Sequence, residues 1–234
     1  MRGRVPAAAN LARPTGGRHE ARLPDPRRLA VLRPRLVRSV DTVSRDGQRL
    51  VSAAHPALTL AVDPAFKPLA PLAFPIENMT DAEREIFVDA KDGIVRRLVI
   101  VQFETVQKGS AFKFLYPPKP PARYGDETYR FGAYVYDDAR SAATAPGKEA
   151  DRTRRYLAQQ GLSMPRLLRT ARLARVADPQ GQSEVILFYM ENADSDYPAG
   201  PLPGADEDGD LPLDAASAAA LLSRLAQAVR PEKG

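Results

Sequence analysis

The sequence predicts an α+β protein with a single mainly antiparallel sheet and helices packed on one face of that sheet. Short apolar strand-like runs outnumber helical patterns, and neighbouring runs are joined by residues typical of hairpin turns. Two of these runs are apolar on both faces, which is typical of strands covered from both sides. No interior segment is long enough to act as a linker, so we expect residues 35–234 to form one domain.

Residues 1–34 are predicted to be a disordered tail rich in arginine and proline. Residues 1–40 contain ten arginines against Glu20 and Asp25, a charge of +8, which leaves −3 of the chain's +5 for the remainder. Such a tail cannot bury enough apolar surface to offset its ordering entropy. It is interpreted either as a translated extension or transit-type segment, or as a basic arm for nucleic acid or an anionic membrane.

The first strands are predicted around the turn Arg-Asp-Gly at residues 45–47, over residues 36–43 and 48–53. A third strand is predicted over residues 57–62, where larger and smaller side chains alternate. Thr-Asp-Ala-Glu at residues 80–83 fits a capping box, in which a hydroxyl and a glutamate satisfy free helix amides. That pattern predicts a short helical turn.

Two hairpins are the clearest elements of the sequence. Residues 86–90 and 94–106 flank Lys-Asp-Gly, and residues 170–176 and 184–191 flank Asp-Pro-Gln-Gly. The second strand of each hairpin is apolar on both faces. We therefore expect these two strands to lie side by side as the covered middle of the sheet.

Two helices are predicted in the last third of the chain. Pro146 suits a first helical position and Gly161 suits the left-handed residue after a helix end, which predicts a helix between them. Asp214 is a predicted N-cap for a final helix over residues 215–230, where apolar residues recur at helical spacing.

Several kinds of site are excluded by residue counts. The absence of cysteine excludes disulfides, thiolate catalysis and zinc–thiolate or iron–sulfur sites. His19 and His55 are too few for a histidine-based zinc motif, and no glycine-rich phosphate loop follows a strand. The acidic run at residues 206–210 lacks the glycine position and final glutamate of a calcium hand. We predict no cofactor and no metal site.

The compartment is predicted from two further features. No apolar run approaches the roughly 20 residues that span a bilayer. Nothing in residues 1–30 resembles the apolar centre of a secretory signal. We therefore expect a cytoplasmic protein without a transmembrane segment.

Carboxylates are the remaining candidates for acid–base chemistry. Glu104 lies on one doubly apolar strand, and Glu184 and Glu191 bracket the other. If these strands are neighbours, two of the acids share a cleft and shift each other's pKa, as acid–base pairs require. The alternative interpretation is that these polar residues mark strand ends, where solvent begins.

Aromatic side chains are concentrated in the strands predicted over residues 112–116 and 129–136. Such strands can line a concavity for an apolar or aromatic ligand, with tyrosine hydroxyls orienting it. The alternative is core packing, which aromatics favour in any strand. The predicted ligand-contacting residues are Phe112, Phe114, Tyr116, Tyr129, Tyr134 and Tyr136.

The leading functional hypothesis is a non-catalytic domain that binds a small molecule or interacts with a protein. Its basis is mainly the shortage of catalytic residue types. One alternative is an enzyme that uses paired carboxylates, with or without a divalent cation. The other is association with nucleic acid or membrane through residues 1–34, because the remainder of the chain is not basic.

Overall fold

The computed structural model describes residues 43–54, 56–116, 121–206 and 209–232. The predictions for the basic tail, and for nearly all of the strand over residues 36–43, lie outside these residues. Within the described part of the chain, none of the helices combines the length and the apolar character needed to cross a membrane.

The described residues form two antiparallel sheets, of nine and four strands. Three β-strands from the start of the described chain and one from its end form the small sheet, in the order β1-β2-β3-β13. These are β1 (Val43–Asp46), β2 (Arg49–Ser52), β3 (Leu58–Val62) and β13 (Val229–Glu232). The predicted hairpin at residues 45–47 is confirmed, since β1 pairs with β2 across a turn that contains Gly47.

The large sheet runs in the order β12-β9-β10-β11-β7-β6-β4, with β5 also paired to β6 and β8 to β9. Its strands are β4 (Lys67–Pro68), β5 (Leu72–Ile76), β6 (Thr80–Lys91), β7 (Ile94–Val106), β8 (Pro121–Tyr124), β9 (Glu127–Asp137), β10 (Leu167–Val176), β11 (Ser183–Asn192) and β12 (Leu211–Pro212). β7 and β11, the two doubly apolar strands, pair with each other, which confirms that prediction.

Both predicted central hairpins are confirmed. Asp92 and Gly93 join β6 to β7 with φ of 53° and 77°, the left-handed conformation that a two-residue hairpin turn requires. The Asp178 carboxylate organises the turn between β10 and β11, because it accepts hydrogen bonds from the amides of Gln180 and Ser183. Asp178 and its Asx-type bonds therefore fix the register of this hairpin.

The described residues include three α-helices: α1 (Asp138–Thr144), α2 (Glu149–Gln159) and α3 (Ala215–Ala228). Asp214 caps α3 by accepting from the amide of Ser217, as predicted. The helix predicted between Pro146 and Gly161 corresponds to α2. The predicted final helix is two residues too long, because Val229 and Arg230 belong to β13.

The main core lies between the large sheet and a second layer made by the small sheet and α3. We call this side of the large sheet the inner face. Leu60 of β3 and Leu221 of α3 belong to the same buried cluster as Val101 of β7 and Leu187 of β11. Burial of apolar surface from both layers stabilises this arrangement.

The opposite side of the large sheet, its outer face, is covered by α2 only in part. Leu157 of α2 packs against Ile86, Leu98 and Ile100, and all four side chains are buried. β7 and β11 are therefore apolar on both faces because different layers cover their two sides.

The predicted fold class, a single mainly antiparallel sheet with helices packed on one face, is wrong. The strands divide into two sheets, and helices contribute to the clusters on both sides of the large sheet, α3 on the inner face and α2 on the outer. Alternating hydrophobicity reports that a strand has a buried side, but not which sheet it joins. The deciding contact is β13 on β3, which links residues about 170 positions apart.

The short helical turn predicted from the capping-box pattern at residues 80–83 is also wrong, because Thr80–Lys91 form β6. Thr80 pairs with Val106 and Glu83 with Phe103 along the full length of β7. A capping box stabilises a helix end through a few local hydrogen bonds. Pairing with β7 stabilises every residue of β6, and this larger contribution decides the structure of the segment.

Candidate functional site

The outer face of the large sheet carries two cavities lined by Glu149 of α2, and a third cavity lies next to them at the edge formed by β9 and β12; together we call the three the outer groove. Their volumes are about 240, 320 and 320 Å³. Glu149 and Phe188 line both the first and the second of these cavities. Tyr134 lines the first and the third, and Arg172 lines the second and the third. Neighbouring cavities therefore share lining residues.

The floor of the outer groove is polar although it lies at the centre of the sheet. Strand alternation sends every second side chain to this face, including Arg84 of β6 and both Gln102 and Glu104 of β7. The neighbouring strands add Glu184 of β11 and Arg172 of β10. Arg84, Gln102, Glu104 and Glu184 are all buried, so each requires hydrogen-bond partners.

Arg84 ties the floor to the first turn of α2. Its Nη2 donates to the carboxylate of Glu149 (2.7 Å) and its Nη1 to the carbonyl of the same residue (3.0 Å). It also donates to Gln102 and to Thr153. Burial lowers the pKa of Arg84, and the charges of Glu149 and Glu104 oppose that change. This network fixes α2 against the sheet at one end of the groove.

Glu104 accepts hydrogen bonds from neutral donors. The Thr80 hydroxyl donates to one of its oxygens (3.1 Å), and the Gln102 amide donates to the other. Burial and, next, the charge of Glu149 raise the pKa of Glu104. The negative charge of Glu104 is therefore solvated by dipoles rather than neutralised by a contacting cation.

Glu184 lies directly opposite Glu104 in the antiparallel register of β11 and β7. Its side chain has 0 % exposure, and one oxygen lies 3.5 Å from Nη2 of Arg172. The other oxygen, Oε2, is buried without a hydrogen-bond partner among the described residues. Burial, and after it the charge of Glu104, raises the pKa of Glu184 to about 8.

The side of the groove next to this carboxylate pair is aromatic. Phe112, Phe114 and Tyr116 line the cavity on one side, and Phe188 lines it from β11. The rings of Phe112 and Phe114 meet edge to face with centroids 5.1 Å apart. The guanidinium of Arg130 lies 4.0 Å from the ring centroid of Tyr116.

Gly181 holds this aromatic segment against the sheet. The amide of Phe114 donates to the Gly181 carbonyl (2.9 Å), so the turn between β10 and β11 fastens residues 112–116 beside the groove. Gly181 has a φ of 69°, and a Cβ at this position would lie 3.1 Å from the Phe114 carbonyl oxygen. Glycine is needed here for both its left-handed conformation and the close approach.

Most of the ligand-contacting residues predicted from the sequence line this groove. Phe112, Phe114 and Tyr116 line the cavity with Glu184, and Tyr134 and Tyr136 line the cavity nearest α2. Tyr129 does not, because it belongs to the inner-face core beside Tyr124. A role in binding for any of them stays a prediction.

Of the three predicted carboxylates, the structure brings two together. Glu191 lies seven residues from Glu184 on β11, which puts it about 23 Å away on the opposite face. There it accepts hydrogen bonds from Arg224 of α3 at 2.6 and 3.0 Å and from the Tyr189 hydroxyl. Glu191 thus lies on the inner face, apart from the other two acids, and a catalytic role for any of the three stays a prediction.

Sequence reasoning missed four groove residues: Arg84, Gln102, Glu149 and Arg172. The available signal was a single polar residue inside an otherwise apolar run, which holds for Gln102 within Leu98–Phe103 but not for Arg172, whose strand also contains Arg169 and Arg175. Such a residue is costly to bury unless it is paired, and it therefore often marks a site. Within the described residues, no group of three or more acidic or histidine side chains is arranged to hold a metal ion.

Comparison with known proteins gives no relationship from which a function can be transferred. No protein-family model, no curated protein and no solved structure matches the chain. The geometry of the outer groove is therefore the basis for any functional conclusion.

Proposed function

We propose that the protein is a non-catalytic binding domain that holds a small organic molecule in the outer groove. The observation that carries this proposal is the combination, in one concavity, of a buried polar floor with an unpartnered carboxylate oxygen and an aromatic side. Ligand sites are typically concave and mostly apolar, with a few convergent polar groups that fix orientation.

The rigidity of the floor supports the same proposal. Gln102 donates to both Glu104 and Glu149, and Glu149 is held in turn by Arg84. Polar groups that are fixed before binding lose little entropy when a ligand arrives. A protein that needed only a stable sheet would gain more from apolar side chains at these central positions.

The proposal predicts that a ligand stabilises the protein through the groove. Thermal unfolding in the presence of a metabolite library should identify compounds that raise the melting temperature. A ligand at a concentration of 100 Kd adds about 2.7 kcal/mol to the free energy of unfolding. Phe112→Ala should abolish that shift. Leu115→Ala is the matched control, because Leu115 lies in the same segment but is 80 % exposed. Absence of any shift, or a shift that persists in Phe112→Ala, would contradict the proposal.

A second candidate function, acid–base catalysis, is favoured by the direct opposition of Glu104 and Glu184. Burial and mutual repulsion favour a protonated Glu184 near neutral pH, which suits a general acid, while Glu104 would act as the base. A carboxylate pair of this kind supports proton transfer within one bound substrate.

This candidate predicts turnover that depends on both acids. Mass spectrometry of a metabolite mixture incubated with the protein should detect a product. Glu104→Gln should reduce its rate by roughly 10²–10⁴-fold at saturating substrate. Glu191→Gln, on the opposite face, should not reduce it. If the wild type binds a ligand but forms no product, acid–base catalysis is contradicted and the binding function is retained.

A further inference from the structure

We infer that the ligand of the outer groove is an organic cation, whose protonated nitrogen donates a hydrogen bond to Oε2 of Glu184 while its apolar body lies beside the aromatic side chains. This inference rests on the proposed binding function and names the chemical class that the groove selects. The acidic lining, the unpartnered oxygen and the aromatic side each support it.

The cavity beside the aromatic residues has an acidic lining. Three carboxylates, Glu104, Glu149 and Glu184, line it together with one arginine, Arg172. Arg84 neutralises Glu149 by direct contact, and Arg172 approaches Glu184 only to 3.5 Å. Buried charges in proteins are normally paired, and Glu104 has no contacting cation among the described residues.

The unpartnered oxygen of Glu184 defines where the positive group binds. Arg172 approaches only Oε1, and at 3.5 Å this contact is long. Oε2 is buried, lacks a partner among the described residues, and belongs to a side chain that lines the cavity. A buried acceptor without a donor costs free energy, and an ammonium group supplies both the donor and the missing charge.

The aromatic residues suit the same ligand. Cations are attracted to the faces of aromatic rings, and two rings of this cavity already have arginine neighbours. Arg130 lies 4.0 Å from the Tyr116 ring centroid and Arg172 lies 5.8 Å from that of Phe188. Phe112 and Phe114 add apolar area for the body of the ligand. A cavity of about 320 Å³ fits a small organic ion and far exceeds a single metal ion.

The inference predicts a specific dependence on pH. The groups that face Glu184 are Glu104 from β7, Arg172 from β10, Glu149 from α2 and Tyr116 from the aromatic segment. Without ligand, a proton on Glu184 relieves the repulsion from Glu104. A bound cation takes the place of that proton, so binding releases it and affinity rises with pH up to about 8.

The test compares probes that share a phenylethyl body and carry a positive, a neutral or a negative head group. Calorimetric titration of the full chain uses 2-phenylethylammonium, 2-phenylethanol and 3-phenylpropanoate, with the corresponding alkyl series of each. The ammonium series should bind at least tenfold more tightly than the others, and more tightly at pH 8 than at pH 6. Glu184→Gln should weaken ammonium binding at least tenfold. Glu232→Gln, which removes an exposed carboxylate of the small sheet, should leave it unchanged.

Each alternative outcome has a distinct meaning. Tighter binding of the alcohols or carboxylates, lost in Phe112→Ala, overturns the cation inference and keeps the groove as a ligand site. Ammonium affinity that falls as the pH rises, or that survives Glu184→Gln, also overturns the inference. Absence of binding in all three series overturns both the inference and the proposed function.

Discussion

Replacing Arg84 by methionine is expected to destabilise the protein by about 3 kcal/mol, because it leaves several buried partners without their donor. Gln102, Thr153 and the carbonyl of Glu149 each lose a hydrogen bond from the guanidinium. Methionine retains much of the apolar contact with Phe74, whose ring centroid lies 5.1 Å from the guanidinium carbon. Denaturant unfolding monitored by circular dichroism measures the difference.

The matched control for Arg84→Met is Arg49→Met. Arg49 also pairs with a glutamate, Glu232, at 2.8 Å, but the two side chains are 53 % and 40 % exposed. An exposed ion pair contributes about 0–1 kcal/mol, so this variant should unfold close to the wild type. Equal losses in the two variants would mean that the buried network does not hold α2 on the sheet.

Replacing Glu184 by glutamine is expected to remove a large part of the pH dependence of stability. The pKa of Glu184 is raised from 4.5 to about 8, so the folded protein holds this proton more tightly than the unfolded chain does. Ionisation therefore costs stability, and the free energy of unfolding falls as the pH rises from about 4.5 to about 8. Between pH 5.5 and 8 the difference amounts to roughly 3 kcal/mol, since one pKa unit corresponds to about 1.4 kcal/mol.

The measurement is a series of denaturant unfolding curves at several pH values for the wild type, Glu184→Gln and Glu232→Gln. Glu184→Gln should gain stability relative to the wild type as the pH rises, whereas Glu232→Gln should follow the wild type. The free energy of unfolding of Glu184→Gln should still fall with rising pH, but less steeply than in the wild type, because burial also raises the pKa of Glu104 and of Glu85. If the free energy of unfolding depends on pH in the same way in all three proteins, ionisation of Glu184 does not lower stability.

The strand pairs joined by short turns were predictable from the sequence. The Lys-Asp-Gly turn before β7 and the Asp-Pro-Gln-Gly turn before β11 are local signals, and each joins the two strands that it separates. The doubly apolar character of β7 and β11 also predicted their central position and thereby their pairing. Local turn chemistry and burial are read directly from neighbouring residues.

Long-range partners were not predictable in the same way. Nothing in Val229–Glu232 indicates that it pairs with β3, and Arg84 gives no sign of contacting Glu149. Both depend on how distant segments meet. The opposition of Glu104 and Glu184 followed from the predicted strand order, whereas the polar network around the two acids depends on contacts between segments that are distant in the sequence.

The pairing of β13 with β3 has a consequence for biosynthesis. β3 is translated long before β13, which follows α3, so the small sheet cannot be completed until the whole large sheet has been translated. Until then β3 exposes one edge, and the apolar inner face of the large sheet lacks part of its cover. Nascent chains stalled before residue 229 should therefore bind chaperones that recognise exposed apolar strands.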